Sequence, residues 1–476
     1  MSTPRCPYSG KGEAAPLART QAIPADLTQP APLFHPRPII GCLPELKRDP
    51  LAFLRDANKL GDIVRLPLMR YTALLLAHPH HIQDVMSRRF RNYNKQTRLF
   101  IRLQQVVGQG LLTSDGDLWH RQRRLAQPAF HSKHMTGFVE TMCDCIQDAL
   151  HDAEPFADSD EPMDMLDAMS HLTMRVVSRT LLSADITDET AIVAEALEFM
   201  VPYMMDTNNR LFSPDNWFPT ARKRKFKRYL KDMDAVVMGF IQQRRNDTNP
   251  PPDLLSLLMA AQDEDDGQKM SDRQLRDEVM TMFLAGHETT AVAVSWAFYL
   301  ISTHPVVGRR IQKELDDVLG CRAATFDDVS ALTYTRQVLL ETMRLYPPVF
   351  ILGRRACEDD VIGGQAIRKG EVTMFSPWLT HRHRDFWPNP EAFDPDRFHP
   401  DLEKKHHPFA YLPFGGGPRR CIGQNFALME GVLILAAFLQ RFEVHLAPGY
   451  QPKLGIALTL RPVEGLPVHL IRRQDR

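Results

Sequence analysis

Between Ser271 and Pro305 the chain reads SDRQLRDEVMTMFLAGHETTAVAVSWAFYLISTHP, and this stretch constrains the fold more than any other. Ser271 and Gln274 stand at the spacing of a capping box, and Pro305 marks where a helix must stop. About thirty residues at ~1.5 Å each make a rod of ~45 Å, long enough to cross a whole globular domain. Apolar residues occupy most of its circumference, so the rod has to run through the middle of the molecule. A chain of 476 residues, 43% of them hydrophobic, is large enough to wrap it.

The remaining pattern is mostly helical with a little β-structure. Residues 62–68 and 71–79 read as a short hairpin, and 361–376 have hairpin character. Helices are expected from about Pro305 to Gly320, over 334–346 up to Pro347 and Pro348, and from Gln424 to Phe442, with closing strands near 444–446 and 456–470. Residues 382–420 are Pro-rich and irregular, and a structureless stretch of that length inside a compact domain points to function. The expected class is mainly α with minor antiparallel β (α+β): a flexible Pro-rich tail over 1–38 and one domain over 39–476. Neither a signal peptide nor a membrane anchor is expected, because the longest apolar run, Val432 to Leu439, is too short to span a bilayer. Lys+Arg and Asp+Glu both count 58, so overall charge gives no reason to expect nucleic acid as a partner. Seven scattered cysteines do not make a disulfide framework and fit a reducing cytoplasm.

One of those cysteines stands on an unusual loop, Phe414–Gly423, FGGGPRRCIG. The glycines allow a tight main-chain fold, and the helix that follows Cys421 offers backbone N–H groups to an anionic sulfur. No CxxC partner, His cluster, local base or GxxxxGK[ST] phosphate loop accompanies it, and the nearest histidines, His406 and His407, read as a surface pair. The use that remains is a single axial thiolate on heme iron, with Arg419 aimed at a heme carboxylate.

Here the sequence resembles the cytochrome P-450 family of heme-thiolate monooxygenases, in its soluble, bacterial-type, stand-alone form. Its signature FxxGxRxCxG is matched by Phe414, Gly417, Arg419, Cys421 and Gly423. The resemblance implies heme b (iron protoporphyrin IX) as cofactor, Cys421 as metal ligand, and a triangular helical prism with the long central helix over the heme. It carries over to four further motifs. Glu341 and Arg344 in ETMR share one helix face and pair in the family with an arginine of the Pro-rich stretch, here Arg397, as a structural triad. In AGHETT, Gly286 lets a neighbour approach, and the Thr289 hydroxyl can bond back to the carbonyl of Ala285; by resemblance Thr289 is the oxygen-activating alcohol and Glu288 the acid that supplies protons. His287 is incidental. Trp119 and Arg123 in WHRQR lie at i and i+4 and resemble a propionate clamp, and of Arg354 and Arg355, Arg355 is taken as a further contact.

What the resemblance implies for function is insertion of one oxygen atom from O2 into a lipophilic small molecule, by hydroxylation or epoxidation. The motif spellings look closer to the fatty-acid-hydroxylating and microsomal branches than to the camphor-type one, which points to a fatty-acyl, terpenoid or polyketide substrate. Ala285, Val349, Phe350, Ile351 and Leu352 are expected in the pocket, together with residues 97–113, the stretch 198–218 with Met200, Met204, Met205 and Phe212, and the region Ile456–Leu458. A Met-rich stripe is also what plain core looks like. The chain leaves no room after its last apolar helix for a reductase module, so electrons are expected from a separate ferredoxin or flavodoxin with its NAD(P)H reductase. They would enter past Arg121, Arg124 and Arg420; the run RKRKFKRYLK (222–231) reads as a solvated helix face. A monomer is expected. Two other uses of such a protein are a peroxide-driven peroxygenase or isomerase, which would usually lack the acid–alcohol pair, and a non-catalytic heme sensor, which needs no proton relay.

Overall fold

Residues 31–34, 41–68, 71–185, 188–209, 215, 218–263, 265 and 267–473 are described by the structure, a computed structural model. The central rod forms as expected, over Asp272–Thr303. Ser271 accepts the Gln274 N–H and Gln274 returns a 2.9 Å bond to the Ser271 N–H, closing the capping box. At the other end Pro305 opens the next helix, and the chain bends by 110°.

Ten helices of ten residues or more occur among the described residues: α1 (Arg98–Val107), α2 (Gly116–Ala126), α3 (Ser132–Ala153), α4 (Met165–Leu182), α5 (Asp188–Asn209), α6 (Ala221–Asn246), α7 (Asp272–Thr303), α8 (Pro305–Val318), α9 (Thr333–Leu345) and α10 (Gln424–Arg441). α7 is buried from several sides at once. α4 lies so close that a Cβ added at Gly286 would stand 3.0 Å from Val177, and Thr173 of α4 donates a 3.1 Å bond to the His287 carbonyl. On another side Gly431 of α10 packs against Val294 of α7 and Leu339 of α9. Trp296 stacks on Tyr346 at 4.2 Å and donates its indole N–H to the Leu460 carbonyl at 2.8 Å, tying α7 to the C-terminal hairpin. On α6 the basic run is largely exposed around a buried Phe226, as a solvated face should be. No single helix among the described residues is long and apolar enough to cross a membrane.

Glu430 makes the contact between α10 and α7 pH-dependent. It is fully buried with both carboxyl oxygens unpaired, and burial pushes its carboxyl up to about 8 against a smaller opposing pull from Thr290 of α7. The folded state therefore keeps a proton that the unfolded chain gives up near its ordinary carboxylate pKa. The contribution to stability is complete below that value and is lost as pH rises through about 8. Glu430→Gln should flatten this decline, so denaturant melts at several pH values should show the variant gaining on the parent above neutrality.

Five strands form a mixed sheet, β1 (Ile63–Leu68), β2 (Tyr71–Leu76), β3 (Tyr93–Asn94), β4 (Leu352–Ala356) and β5 (Val372–Phe375), in the order β1-β2-β5-β4-β3. The expected β1–β2 hairpin is present, with Ile63 opposite Leu76. The single hairpin expected over 361–376 is divided. Asp360–Ile362 and Gln365–Ile367 pair across the Gly363–Gly364 turn, whereas β5 leaves to lie parallel to β2 and antiparallel to β4. Met163–Asp164, Phe442–Leu446 and Pro467–Arg472 form a second, antiparallel sheet, and Leu454–Ile456 pairs with Leu460–Pro462. Ala31 is buried and Leu33 bridges Arg65, so residues 31–34 sit against the first sheet although the sequence assigns them to the tail. The rest of 1–38 lies outside the described residues apart from these four.

Candidate heme site

The loop Phe414–Gly423 is shaped by its glycines. Gly417 has φ +64°, and a Cβ there would stand 2.0 Å from the carbonyl oxygen of Met86, so no side chain fits without moving backbone. Gly417→Ala should accordingly lower heme incorporation severalfold, read as the ratio of heme to protein absorbance in the purified variant. The Cys421 N–H bonds the Phe414 carbonyl at 2.9 Å, closing the loop, and the thiol accepts from the Gly423 N–H. Although Cys421 is exposed, the protein packed around its sulfur desolvates the thiol and pushes it up; the Gly423 N–H, Arg123 and Arg420 pull the other way and do not cancel it. The helix start by itself is thus weaker than the sequence suggests, because α10 begins only at Gln424. A metal cation at the sulfur is what the thiolate would need to be the stable form.

Beside the loop, four cations gather in the interior. Arg419 donates to the Ser114 carbonyl at 2.9 Å and to Asp115 at 2.6 Å, and lies 4.2 Å over the Trp119 ring. Arg123 donates to the Arg420 carbonyl at 2.9 Å. Lys95, which the sequence reading missed, is buried with its Nζ 2.6 Å from the Leu112 carbonyl. The fourth corrects the choice of Arg355. That side chain is exposed and bonds the Gly370 carbonyl at 3.3 Å, whereas Arg354 is buried near Arg419. In β4 the burial alternates, Arg354 and Ala356 in, Arg355 out. Burial pushes Lys95 well down and Arg354 down to about 10, and their neighbours Arg419 and Arg123 push Lys95 further. Asp115 is the carboxylate in the group, and one carboxylate does not balance four cations. A dianionic ligand would, and the two carboxylates of heme fit that charge.

The central helix α7 is uncovered at Ala285, an exposed residue in the middle of a buried helix. The Thr289 hydroxyl donates to the Ala285 carbonyl at 2.5 Å, the back-bond its spacing predicts. Glu288 does not share that bond: its carboxylate accepts from Thr459 at 2.7 Å and faces Arg461 at 3.6 Å, on the C-terminal hairpin. His287 turns to α4, where burial pushes its imidazole down to about 4 against the bond it donates to the Ser170 backbone carbonyl.

Residues 30–462 match the family model described as Cytochrome P450. The chain belongs to the cytochrome P450 family. Among its relatives, the cyclooctatin synthase of Streptomyces melanosporofaciens is 35% identical over 90% of this chain and 94% of its own. The pentalenene oxygenase of Streptomyces avermitilis is 30% identical over 86% of this chain and 90% of its own. The crystal structure of the cytochrome P450DA heme domain superposes with a TM-score of 0.87 at 29% identity, covering 94% of this chain and 98% of that one. This P450 is thus a heme b monooxygenase that acts on a lipophilic small molecule.

Behind the cysteine loop the P450 buries an ion cluster. Glu341 and Arg344 are fully buried and bond in bidentate fashion at 2.6 and 2.8 Å, and Arg397 approaches Glu341 at 3.4 Å. Arg344 also donates to the carbonyls of His381, Pro390 and Ala392, which fastens the irregular stretch. The expected pocket residues divide. Ala285 is exposed and Val349, Ile351 and Leu352 are half-buried, but Phe350 is packed against Leu51 and Leu460 as core. Met200 and Met204 are core as well, and the side chain of Met205 and the whole of Phe212 lie outside what the structure describes. On the proximal face Arg121 and Arg124 both bond Asp263, leaving the exposed Arg420 as the member of the expected basic trio with no carboxylate partner among the described residues. The acid lies about 140 residues from its partners, beyond the reach of any local pattern.

Proposed function

We propose that Cys421 binds the heme iron through its sulfur and that this P450 oxygenates a terpenoid. The observation that supports this reading is that Arg419 and Arg420 of the cysteine loop meet Arg123 of α2, and that Lys95, together with Arg354 of β4, gathers buried around Arg419, a group of cations short of carboxylates. Lys95, Arg354, Arg419, Arg123 and Trp119 would hold the two heme carboxylates, with Phe414 and Gly423 shaping the loop. Bound heme supplies the activation of O2, with two electrons and two protons, to one inserted oxygen atom and one water.

The chain's own part is to place the substrate and to deliver protons. Thr289 spends its hydrogen on the Ala285 carbonyl, which leaves the lone pairs of Oγ1 to receive a proton and pass its own on. Glu288 feeds that relay once its carboxylate leaves Thr459 and Arg461; its anchorage on the hairpin couples proton supply to the pocket wall near Ile456–Leu458. Thr289→Ala is expected to bind heme normally while diverting electrons to peroxide, so product formed per NAD(P)H consumed should fall severalfold. Equal coupling in the variant would remove Thr289 from the relay.

The cyclooctatin synthase and the pentalenene oxygenase, both terpenoid-modifying relatives, favour the terpenoid over the fatty-acyl and polyketide readings. Electrons come in this reading from a separate ferredoxin or flavodoxin with its NAD(P)H reductase, in a cytoplasmic monomer. A spectral binding screen against terpenes, fatty acids and macrolides decides the substrate class: polycyclic terpenes should give the spin shift at the lowest concentrations. Turnover with peroxide but none with O2, NAD(P)H and redox partners would favour the peroxygenase instead.

A further inference from the structure

Far from the cysteine loop in sequence, two histidine-rich stretches meet: AHPHHIQ, with His78, His80 and His81, and THRHRD, with His381 and His383. His381 is committed, its ring nitrogens bonded to the Arg344 carbonyl and the Leu412 N–H. His80 packs on His407 at 4.6 Å. His78 and His383 face each other with ring centroids 5.3 Å apart, and Asp62, from the turn before β1, joins them. One ligand atom from each of Asp62, His78 and His383 lies within 4.8 Å of the other two, and all three residues are half-buried. His383 Nε2 and Asp62 Oδ1 are already 3.3 Å apart. Two ligands at ~2.0–2.2 Å from one tetrahedral ion stand roughly 3.3–3.6 Å apart, so that pair is at ligand spacing and His78 has about an ångström to close.

We propose that Asp62, His78 and His383 bind one divalent transition-metal ion of the zinc class, with a fourth position left to water. Two nitrogens and a carboxylate are a borderline donor set that suits such an ion better than calcium or magnesium, which take oxygen. Phe386, with its ring 5.2 Å from His78 and 5.4 Å from His383, walls one side. Loading has a cost. The δ nitrogens of His78 and His383 accept the N–H groups of His80 and Asp385 at 3.2 and 3.4 Å, so ligation through Nε2, the atom His383 turns to Asp62, moves the ring proton to Nδ1 and opens that contact. Both contacts are long for hydrogen bonds, which keeps the cost small but sets the affinity below that of a closed structural zinc site. The ion would fasten the start of β1 and the end of β2 to the segment whose His381 carbonyl holds Arg344. The site is independent of the heme reading.

The test uses full-length, heme-loaded protein dialysed against Zn2+ at neutral pH, with zinc and iron counted by plasma mass spectrometry. One zinc per iron is expected, with a rise in melting temperature on loading. Loss of an outer partner already weakens metal sites about 10–100-fold, so His78→Ala and His383→Ala should each weaken binding by at least about tenfold. Heme content reports whether each variant is folded, and Asp62→Asn, which preserves shape, carries the same expectation if a histidine variant is not. The double variant His80→Ala, His407→Ala should keep its zinc. The proposal is overturned if the parent takes up no zinc, if His78→Ala and His383→Ala bind zinc as tightly as the parent, or if zinc is lost only from the His80/His407 variant.

Discussion

Cys421→Ser should give a folded protein whose reduced carbon-monoxide complex lacks the red-shifted band of thiolate ligation and whose turnover falls to background. The fold should survive because what closes the loop is main chain: the Cys421 N–H on the Phe414 carbonyl, and the positive φ of Gly415 and Gly417. Serine keeps that backbone and nearly the same volume. It loses an ionisable sulfur where Gly423, Arg123 and Arg420 already favour an anion, and a serine hydroxyl does not ionise near neutral pH. Absorbance of the reduced complex checks the ligand and product analysis checks the rate. A serine variant with the red-shifted band intact would show that the ligand lies elsewhere.

Glu341→Gln is expected to destabilise the protein by about 3–5 kcal/mol, the usual cost of removing one partner from a buried ion pair. The carboxylate accepts Arg344 at 2.6 and 2.8 Å and the Asp394 N–H at 2.9 Å, and it is the charge facing Arg397. Burial pushes the Glu341 carboxyl up, and Arg344, Asp394 and Arg397 hold it down, so the carboxylate depends on those partners as much as they depend on it. With glutamine in place two guanidiniums remain near one another without an anion, one of them fully buried. Against a total stability of about 5–15 kcal/mol the loss is large. Urea melts followed through heme absorbance measure it, and heme should dissociate at lower urea because Arg344 fastens the stretch leading to the cysteine loop through three carbonyls. A variant within about 1 kcal/mol of the parent would mean that water reaches the cluster and screens it.

Much of this protein was legible from residues close together in the chain. The bounds of α7 follow from Ser271, Gln274 and Pro305; the Thr289 bond to Ala285 is an i to i−4 contact inside that helix; Glu341 and Arg344 share a face at i and i+3. Each is fixed by helical repeat and by hydrogen bonds that close over a single turn. Lys95 carried no such signal: a lone lysine in NYNKQT has nothing local to say that the sheet and α2 will bury it among arginines.

Spacing along the chain was enough to locate the cysteine loop, the central helix and the ion cluster, because those contacts form within a few residues or within a recognisable motif. Folding alone settled which of two adjacent arginines enters the interior, which strand joins β2, and which acid takes up Arg121 and Arg124. In a strand the two faces alternate, so the direction of Arg354 and Arg355 depends on the register of β4 against β3 and β5, whose partners lie as much as 263 residues away. Such pairings are chosen by packing of the whole chain, and no local pattern encodes them.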